Sequence, residues 1–234
     1  MKKLGSIIDN LKQGLDAPTR HHNPYLKEAL SLNEYLYTET ELSQKNAPLF
    51  QGENKLIMEI GCYMGKNVIE LALQNKQMNF VGLDITYKRA VKAAKKLKRD
   101  NVTNAKIALC DGKRFLEEFA PSNSLAGVCV FFPDPWPKER HEKNRLLKQD
   151  FVSLLHKKLE PQGFFWFKTD ALNYFQQTEK LLLESGFVLD DESKDCRLNK
   201  PKALEGGPYE TAFQKIFAAK QVPFYQGVYI KNGV

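Results

Sequence analysis

The chain has 234 residues, of which 42% are hydrophobic, and its 35 Lys and Arg residues outnumber its 28 Asp and Glu residues, for a formal net charge of +7. This length allows one large α/β domain or two small ones. No run of about 18 apolar residues is present, and charged residues interrupt the N-terminal segment before an apolar signal region forms, so we expect a cytoplasmic protein with no membrane partner.

Residues 1–45 are predicted to be an N-terminal arm followed by a helix. The arm is polar and irregular, and the apolar spacing after it predicts a helix over residues 25–43. A turn at residues 51–54 opens the main domain, which we assign to residues 46–234. His21 and His22 on the arm lack companion ligands, and the four cysteines lack metal-ligand spacing, so no metal site is predicted.

From Lys55 onwards, strand patterns alternate with helix patterns. Strands are predicted at residues 55–60, 78–84, 105–110, 125–132, 164–169 and 187–189, with further candidates at 213–218 and 227–230. Helices are predicted up to residue 74, at 87–99, 113–119 and 148–159, and up to residue 183. This alternation predicts a doubly wound parallel α/β sheet with right-handed crossovers.

Acidic residues stand at the carboxyl ends of five predicted strands. They are Glu59, Asp84, Asp111, Asp134 and Asp170. The carboxyl ends of parallel strands meet at one edge of the sheet, which is where open α/β sheets bind ligands. Because clustered carboxylates repel one another in a medium of low dielectric, five acids at this edge favour a cationic ligand.

The turn after the first predicted strand of the main domain argues against binding of a nucleotide phosphate. A dinucleotide fingerprint needs three spaced glycines, and this turn has only Gly61 and Gly65, with Tyr63 between them. No phosphate-binding Gly-Lys-Ser/Thr follows the strand either. S-adenosylmethionine, a sulfonium cation without phosphate, fits better. Asp84 can accept from both ribose hydroxyls, Asp111 can accept from the adenine amine, and the glycines let the backbone approach the methionine part.

The loop Phe131–Lys138 interrupts the fourth strand abruptly. Its three prolines within five residues prevent both helix formation and ladder pairing. The loop therefore presents Asp134, Trp136 and Lys138 at the ligand-binding edge. Trp136 either packs against the loop or stacks on a base.

Basic residues concentrate in two segments, Lys88–Arg99 and Lys138–Lys148. Two concentrated patches favour a nucleic-acid partner more than scattered charge would. For the first segment, a solvated helix face is an equally open interpretation.

Several motifs occur in a fixed order between about Lys55 and Gln214. They are Glu-Ile-Gly-x-x-Met-Gly, Gly-Leu-Asp, Phe-Phe-Pro-Asp-Pro-Trp-Pro-Lys-x-Arg-His-x-Lys-x-Arg, Leu-x-Pro-x-Gly and Thr-Asp. Together they closely resemble the bacterial tRNA (guanine-N7)-methyltransferases, for which the Pro-Asp-Pro-Trp-Pro-Lys segment is highly specific. The resemblance implies a class I methyltransferase fold, which is a Rossmann-like, doubly wound, mostly parallel α/β sheet of seven strands. It also implies methylation of a guanine, guanine 46, in the variable loop of tRNA.

The same resemblance implies roles for individual residues. The methyl-donor site would comprise Glu59, Gly61, Gly65, Asp84, Asp111 and Asp134, with Asp134 as the catalytic residue. Lys138 and Asp170 would contact the target nucleotide, and the RNA-binding residues would be Arg140, His141, Lys143 and Arg145. Thr211 and Gln214 occupy the place of the family's Thr-Lys-Phe-Glu motif. The resemblance assigns no role to residues 1–45, for which capping of the donor site and RNA contact are both open.

The sequence departs from the family pattern at two positions. Tyr63 stands where the family usually has Gly, so the turn must bend without that glycine's freedom. Gln214 replaces a Glu, and its amide oxygen would accept from the N1 or N2 edge of guanine more weakly than a carboxylate.

Two other classes of function stay open. One is a non-catalytic RNA-binding relative, and the other is a methyltransferase for a small molecule or a protein. The basic segment Lys138–Lys148 argues against the second class. The oligomeric state is open between a monomer and a homodimer.

Overall fold

The computed structural model describes residues 25–44, 49–190, 200–206 and 209–233. Its strands are β1 (Leu36–Thr38), β2 (Leu56–Ile60), β3 (Asn79–Asp84), β4 (Ala105–Leu109), β5 (Leu125–Phe131), β6 (Leu159–Thr169), β7 (Phe187–Leu189) and β8 (Tyr225–Lys231). Its α-helices are α1 (Tyr25–Leu30), α2 (Glu39–Gln44), α3 (Lys66–Gln74), α4 (Tyr87–Arg99), α5 (Gly112–Glu118), α6 (Gln149–Lys158), α7 (Leu172–Glu184) and α8 (Ala212–Ala219), and Glu139–Asn144 forms a 3₁₀ helix.

The strands form one sheet in the order β1-β4-β3-β2-β5-β6-β8-β7. The first six strands in this order pair in parallel, whereas β8 is antiparallel to both β6 and β7. The chain runs outward from β2 to β3 and β4 on one side, then returns to build β5 and β6 on the other. The reversal makes the β2–β5 boundary the topological switch point, where such sheets bind ligands.

Helices cover both faces of the sheet. One apolar core packs α3 and α4 against a face that includes Ile57 and Trp166. The other packs α5, α6 and α7 against a face that includes Met58 and Phe165. Because central strands are buried on both sides, β5 reads as a continuous apolar run rather than an alternating one. The predicted doubly wound, mostly parallel α/β fold is confirmed.

The helix predicted over residues 25–43 is wrong. The helix α1 ends at Leu30, and the chain then forms β1, which pairs in parallel with β4 so that Leu36 lies opposite Ile107. Pairing with a distant strand overrides the local helical spacing, which is a tertiary effect that periodicity does not detect. The sheet therefore begins ahead of residue 46, the predicted start of the main domain.

Two other predictions are corrected within the described residues. The strand candidate at 213–218 is the helix α8, which starts after Thr211, whose hydroxyl accepts from the Gln214 backbone N–H at 3.1 Å. The sheet has eight strands rather than seven, because β1 joins its edge. The predicted arm with His21 and His22 lies outside the residues that the structure describes. Among the described helices, none has the length and apolarity needed to cross a bilayer.

Replacing Leu36 tests whether β1 is part of the folded domain. The Leu36 side chain is 1% exposed, so Leu36→Ala should lower the free energy of unfolding by about 2–5 kcal/mol through lost burial and a residual cavity. The matched control is Leu73→Ala on α3, where Leu73 is 44% exposed and the loss should stay below about 1 kcal/mol. Urea denaturation of both variants measures the difference. Equal small losses would mean that β1 does not stabilise the domain.

Candidate functional site

The five acidic residues lie along the carboxyl edge of the parallel strands, as predicted, but in different environments. Glu59 and Asp84 are buried, Asp170 is half-buried, and Asp111 and Asp134 are exposed. Only the two buried carboxylates are held in a low dielectric, where a cationic ligand would stabilise them most.

Glu59 is the buried carboxylate next to the switch point. Its Oε1 accepts a hydrogen bond from Asn67 Nδ2 at 2.7 Å, while its Oε2 is buried without a partner among the described residues. Burial raises the pKa of Glu59 to about 7, against the lowering effect of the Asn67 side chain and the Val68 backbone N–H. A buried carboxylate oxygen without a hydrogen-bond partner suits a ligand that brings a positive charge or a donor.

The turn after β2 requires left-handed backbone at three residues. Gly61, Tyr63 and Gly65 have φ angles of 77°, 53° and 70°. At Gly65 a Cβ atom would lie 2.8 Å from the Ala93 Cβ, so this glycine lets α3 begin close against α4. At Gly61 a Cβ would meet no described atom within 4 Å, so open space lies above the turn. Tyr63 bends as a glycine would, in a region that side chains disfavour.

A cation from α4 supports this turn. The Arg89 guanidinium lies 4.8 Å from the centroid of the Tyr63 ring, and its Nη1 is 3.8 Å from Asp84 Oδ2. Asp84 Oδ1 accepts from the Thr86 backbone N–H at 2.8 Å, which fixes the carboxylate at the tip of β3. Lys96 donates to the Met64 carbonyl at 3.0 Å. Part of the first basic segment therefore holds the candidate donor site together.

Asp111 caps a helix beside the same edge. Its Oδ1 accepts from the Arg114 backbone N–H at 3.0 Å, at the start of α5. Arg114 also forms an ion pair with the buried Glu39 of α2. The N-terminal segment thus contacts the element that carries Asp111.

The proline loop after β5 is held in an unusual conformation. Phe132 and Trp136 have positive φ angles of 52° and 44°, and the Phe132 N–H donates to the Lys168 carbonyl at 2.7 Å. Asp134 lies exposed between these two residues. The half-buried Trp136 ring packs edge-on against His141, with 5.8 Å between ring centroids. This contact supports the packing alternative for Trp136.

The second basic segment splits into exposed and buried residues. Lys138, Arg140 and Lys143 are exposed and His141 is half-buried, so these side chains can reach a partner. Arg145, predicted to contact RNA, is buried instead. It donates to the Pro135 carbonyl at 2.8 Å and to the Trp136 carbonyl at 3.4 Å.

Further contacts fix the Arg145 guanidinium from the other side. It pairs with Glu142, hydrogen-bonds to Gln177 and lies 5.0 Å from the centroid of the Tyr174 ring. With its donors directed at protein groups, Arg145 positions the loop that carries Asp134.

Sequence reasoning missed Lys168, which contacts the predicted substrate residue Gln214. Lys168 is fully buried near the end of β6, and its Nζ donates to Gln214 Oε1 at 2.8 Å. Thr211 and Gln214 are themselves buried, at the start of α8. A lysine within the apolar run of β6 was the signal, because a charged group inside a buried strand needs a specific partner.

A separate cavity of about 810 Å³ lies at the opposite edge of the sheet. Its lining includes Leu56, Asn79 and Leu125, the first residues of β2, β3 and β5. It therefore opens at the amino ends of the strands, away from the acidic residues. Ligand sites of this architecture lie at the carboxyl ends, so the cavity is not the candidate site.

Several features of the carboxyl edge fit S-adenosylmethionine. The orphaned Glu59 oxygen, the buried Asp84 carboxylate and the open space above Gly61 suit a cationic ligand with hydroxyl donors. No group of His, Cys, Asp and Glu residues suited to a metal ion occurs in the described part of the chain.

Solved structures share the fold of this chain. The 16S rRNA methyltransferase KamB matches with a TM-score of 0.55 and 16% identity over 83% of this chain and 93% of that one. The antibiotic-resistance methyltransferase Kmr matches with a TM-score of 0.52 and 11% identity over 78% of this chain and 89% of that one. At these identities the likeness establishes the fold alone, which is that of the class I S-adenosylmethionine-dependent methyltransferases.

Residues 53–223 match the model of the methyltransferase family described as "Putative methyltransferase", and the chain belongs to this family. Curated relatives named tRNA (guanine-N(7)-)-methyltransferase support the resemblance stated from the motifs. The relative from Nitrosomonas eutropha is 38% identical over 50% of this chain, and that from Thermotoga maritima is 33% identical over 67% of it. The relative from Legionella pneumophila strain Corby is 33% identical over 59%. The aligned region spans 53%, 56% and 61% of the length of these three relatives, respectively.

The raised pKa of Glu59 predicts a pH dependence of stability. The folded protein holds this proton up to a pH of about 7, whereas the unfolded carboxyl releases it near its ordinary pKa of 4.5. The stabilisation is therefore fully present below pH 4.5 and is lost as the pH rises through 7, at a cost of roughly 3 kcal/mol. Glu59→Gln removes this loss. Urea denaturation without methyl donor should show that the free energy of unfolding of the variant rises relative to that of the wild type between pH 4 and pH 8. Parallel profiles of this free energy against pH would contradict the prediction.

Replacing Arg145 distinguishes a loop-positioning residue from a surface cation. Arg145→Lys keeps the charge but loses the planar fork that reaches two carbonyls and two side chains, so the free energy of unfolding should fall by about 1–3 kcal/mol. Lys143→Ala, at an exposed position of the same segment, should change stability by less than about 0.5 kcal/mol. Thermal and urea unfolding compare the two variants. An unchanged stability of Arg145→Lys would mean that Arg145 acts as a surface cation and does not position the loop.

Proposed function

We propose that the protein transfers the methyl group of S-adenosylmethionine to N7 of a guanine in the variable loop of tRNA, guanine 46 by family resemblance. The observation that carries the proposal is the position of the Asp134 loop, which follows β5 at the switch point beside the orphaned Glu59 carboxylate. The family membership and the names of the curated relatives support the same reaction.

In this proposal the donor is held by the acidic edge. Glu59, Asp84 and Asp111 accept hydrogen bonds, and the Gly61–Gly65 turn approaches the methionine part. When bound there, S-adenosylmethionine supplies a methyl group on a sulfonium, which a nitrogen lone pair can attack directly. One N–C bond forms as one S–C bond breaks, and the positive charge passes to the purine.

The protein needs no general base for this chemistry. Guanine N7 carries a lone pair and no proton, so the side chains contribute alignment and charge stabilisation. Alignment of two reactants is worth at most about 7–11 kcal/mol. Asp134 and Asp170 follow the carboxyl ends of β5 and β6, and each would stabilise the positive charge that the purine gains there.

Exposed cations flank the loop and suit a tRNA partner. Lys138, Arg140 and Lys143 can contact phosphates, and Lys138 is the nearest of the three to Asp134 in the sequence. The target base must leave its stack to reach the edge, at a cost of a few kcal/mol. Phosphate contacts of this kind make binding weaken steeply with salt.

A capping role suits the N-terminal segment better than an RNA-binding one. The strand β1 extends the sheet beyond β4, and Glu39 of α2 pairs with Arg114 next to the Asp111 cap. This contact supports an interaction of residues 36–44 with the adenine end of the donor site.

A non-catalytic RNA-binding relative is the alternative. The strained Tyr63 conformation and the Arg89 cation beside Asp84 motivate it, because both lie at the donor turn. Calorimetric titration with S-adenosylmethionine separates the two, since a non-catalytic relative need not bind the donor.

Replacing Asp134 tests the reaction itself. Asp134→Ala should reduce methyl transfer to tRNA by about 100-fold or more, because it removes the carboxylate beside the developing charge, while the thermal unfolding midpoint stays unchanged. The control is Glu184→Ala, at the far end of α7, which should retain full activity. Nucleoside mass spectrometry measures 7-methylguanosine, and strand cleavage at 7-methylguanosine locates it. Wild-type levels of product in Asp134→Ala would overturn the assignment.

A further inference from the structure

Lys168 is enclosed in an aromatic environment. Its Nζ lies 4.5 Å from the centroid of the Trp166 ring, 5.4 Å from that of Phe131 and 5.8 Å from that of Tyr209. It donates to the Tyr209 carbonyl at 3.3 Å and to Gln214 Oε1 at 2.8 Å. No carboxylate of the described residues forms an ion pair with it. Burial accordingly lowers the pKa of Lys168 to about 7.

The contact with Lys168 fixes which end of the Gln214 amide points inwards. A lysine ammonium has three donors and no acceptor, so the amide atom that faces it must be the oxygen. Gln214 is 3% exposed, and its amide nitrogen donates to none of the described residues. The amide oxygen of Gln214 is therefore occupied by Lys168, whereas the two N–H donors of its amide nitrogen have no partner among the described residues.

This amide lies beside the edge where methyl transfer is proposed. Lys168 pairs across the sheet with Phe131, three residues before Asp134, and it precedes Asp170 by two residues. The helix α8 packs on the same loop, because the Phe132 ring lies 5.1 Å from the Phe217 ring and 5.9 Å from the Phe213 ring. A base brought to Asp134 would therefore approach the N-terminal turn of α8, where Gln214 lies.

We propose that Lys168 is a positioning residue that turns the Gln214 carbonyl inwards, so that Gln214 offers N–H donors to the bound base and the pocket selects a hydrogen-bond acceptor, O6 of guanine. The inference rests on the proposed function. It reverses the expectation from sequence, in which the Gln214 oxygen accepts from the N1 or N2 edge.

A donor at this position suits attack by N7. Guanine presents O6 and N7 as neighbouring acceptors on its major-groove edge, so a donor directed at O6 aligns the reacting nitrogen beside it. A carboxylate at position 214 would instead meet O6 with the same sign of charge. It would also form a buried ion pair with Lys168 and would offer the base no N–H donor.

Base analogues at the target position of a tRNA transcript test the proposal. Inosine lacks the exocyclic N2 amine and keeps O6 and the N1 proton, whereas 2-aminopurine keeps that amine and lacks both O6 and the N1 proton. At pH 6.5, where the ammonium form of Lys168 predominates, the wild type should methylate inosine within about threefold of guanosine and 2-aminopurine at least about tenfold more slowly in kcat/KM, the cost of one hydrogen bond. A tenfold preference for guanosine over inosine, with 2-aminopurine retained, would overturn it.

Two variants separate positioning from a general structural effect. Gln214→Glu should lower kcat/KM on guanosine about tenfold and shrink the penalty for 2-aminopurine, whereas an acceptor of the N1 proton would make that penalty larger. Comparing this penalty between the variant and the wild type cancels the intrinsic reactivity of the analogue. Lys168→Met, an apolar replacement of similar length, should free the amide and create discrimination against inosine that the wild type lacks. Faster transfer to guanosine by Gln214→Glu would contradict the inference. If thermal unfolding shows that Lys168→Met does not fold, the analogue series with the wild type and Gln214→Glu still decides.

These outcomes are distinct from a failure of the proposed function. No product from the guanosine transcript with wild-type protein and S-adenosylmethionine would refute the methyltransferase reaction. Product from guanosine with the wrong analogue preference would refute only the role of Lys168 and Gln214.

Discussion

Parallel pairing of β2 with β3 on one side and β5 on the other is the constraint on which the site depends. It brings the ends of strands from separate parts of the chain to one edge and leaves a gap where the chain reverses direction. Glu59 is buried at that gap, with one oxygen bound by Asn67 and the other without a described partner. A buried carboxylate of this kind costs stability unless a ligand compensates it, so the protein is organised for binding at this edge.

Buried cations serve the site from within the protein. Arg145 binds the carbonyls of the proline loop, and Lys168 lies beneath it between aromatic rings. Both charged groups are buried. Arg145 belongs to a basic segment whose sequence suggests RNA binding, and Lys168 belongs to the apolar strand β6. The exposed cations Lys138, Arg140 and Lys143 take no part in these contacts.

The sequence predicted most of the parallel core, because long periodic helices and apolar strands report burial directly. The ranges of α3, α4, α6 and β5 agree with the structure to within about a residue or two. The errors fell at β1 and α8, where short segments carry ambiguous patterns. Contact with β4 made a strand of Leu36–Thr38, and capping by Thr211 made a helix of the residues after it.

By itself the sequence determined the fold class, the acidic residues at strand ends and the family, because these follow from periodicity and from short motifs at fixed spacing. Only the tertiary structure decided which of those residues are buried, since burial depends on neighbours distant in the chain. The structure shows that Glu59 and Asp84 are buried whereas Asp111 and Asp134 are exposed. It also shows that Arg145 is buried rather than at the surface. It also joined Lys168 to Gln214 across 46 positions, which sets the direction of a hydrogen bond that no local pattern encodes.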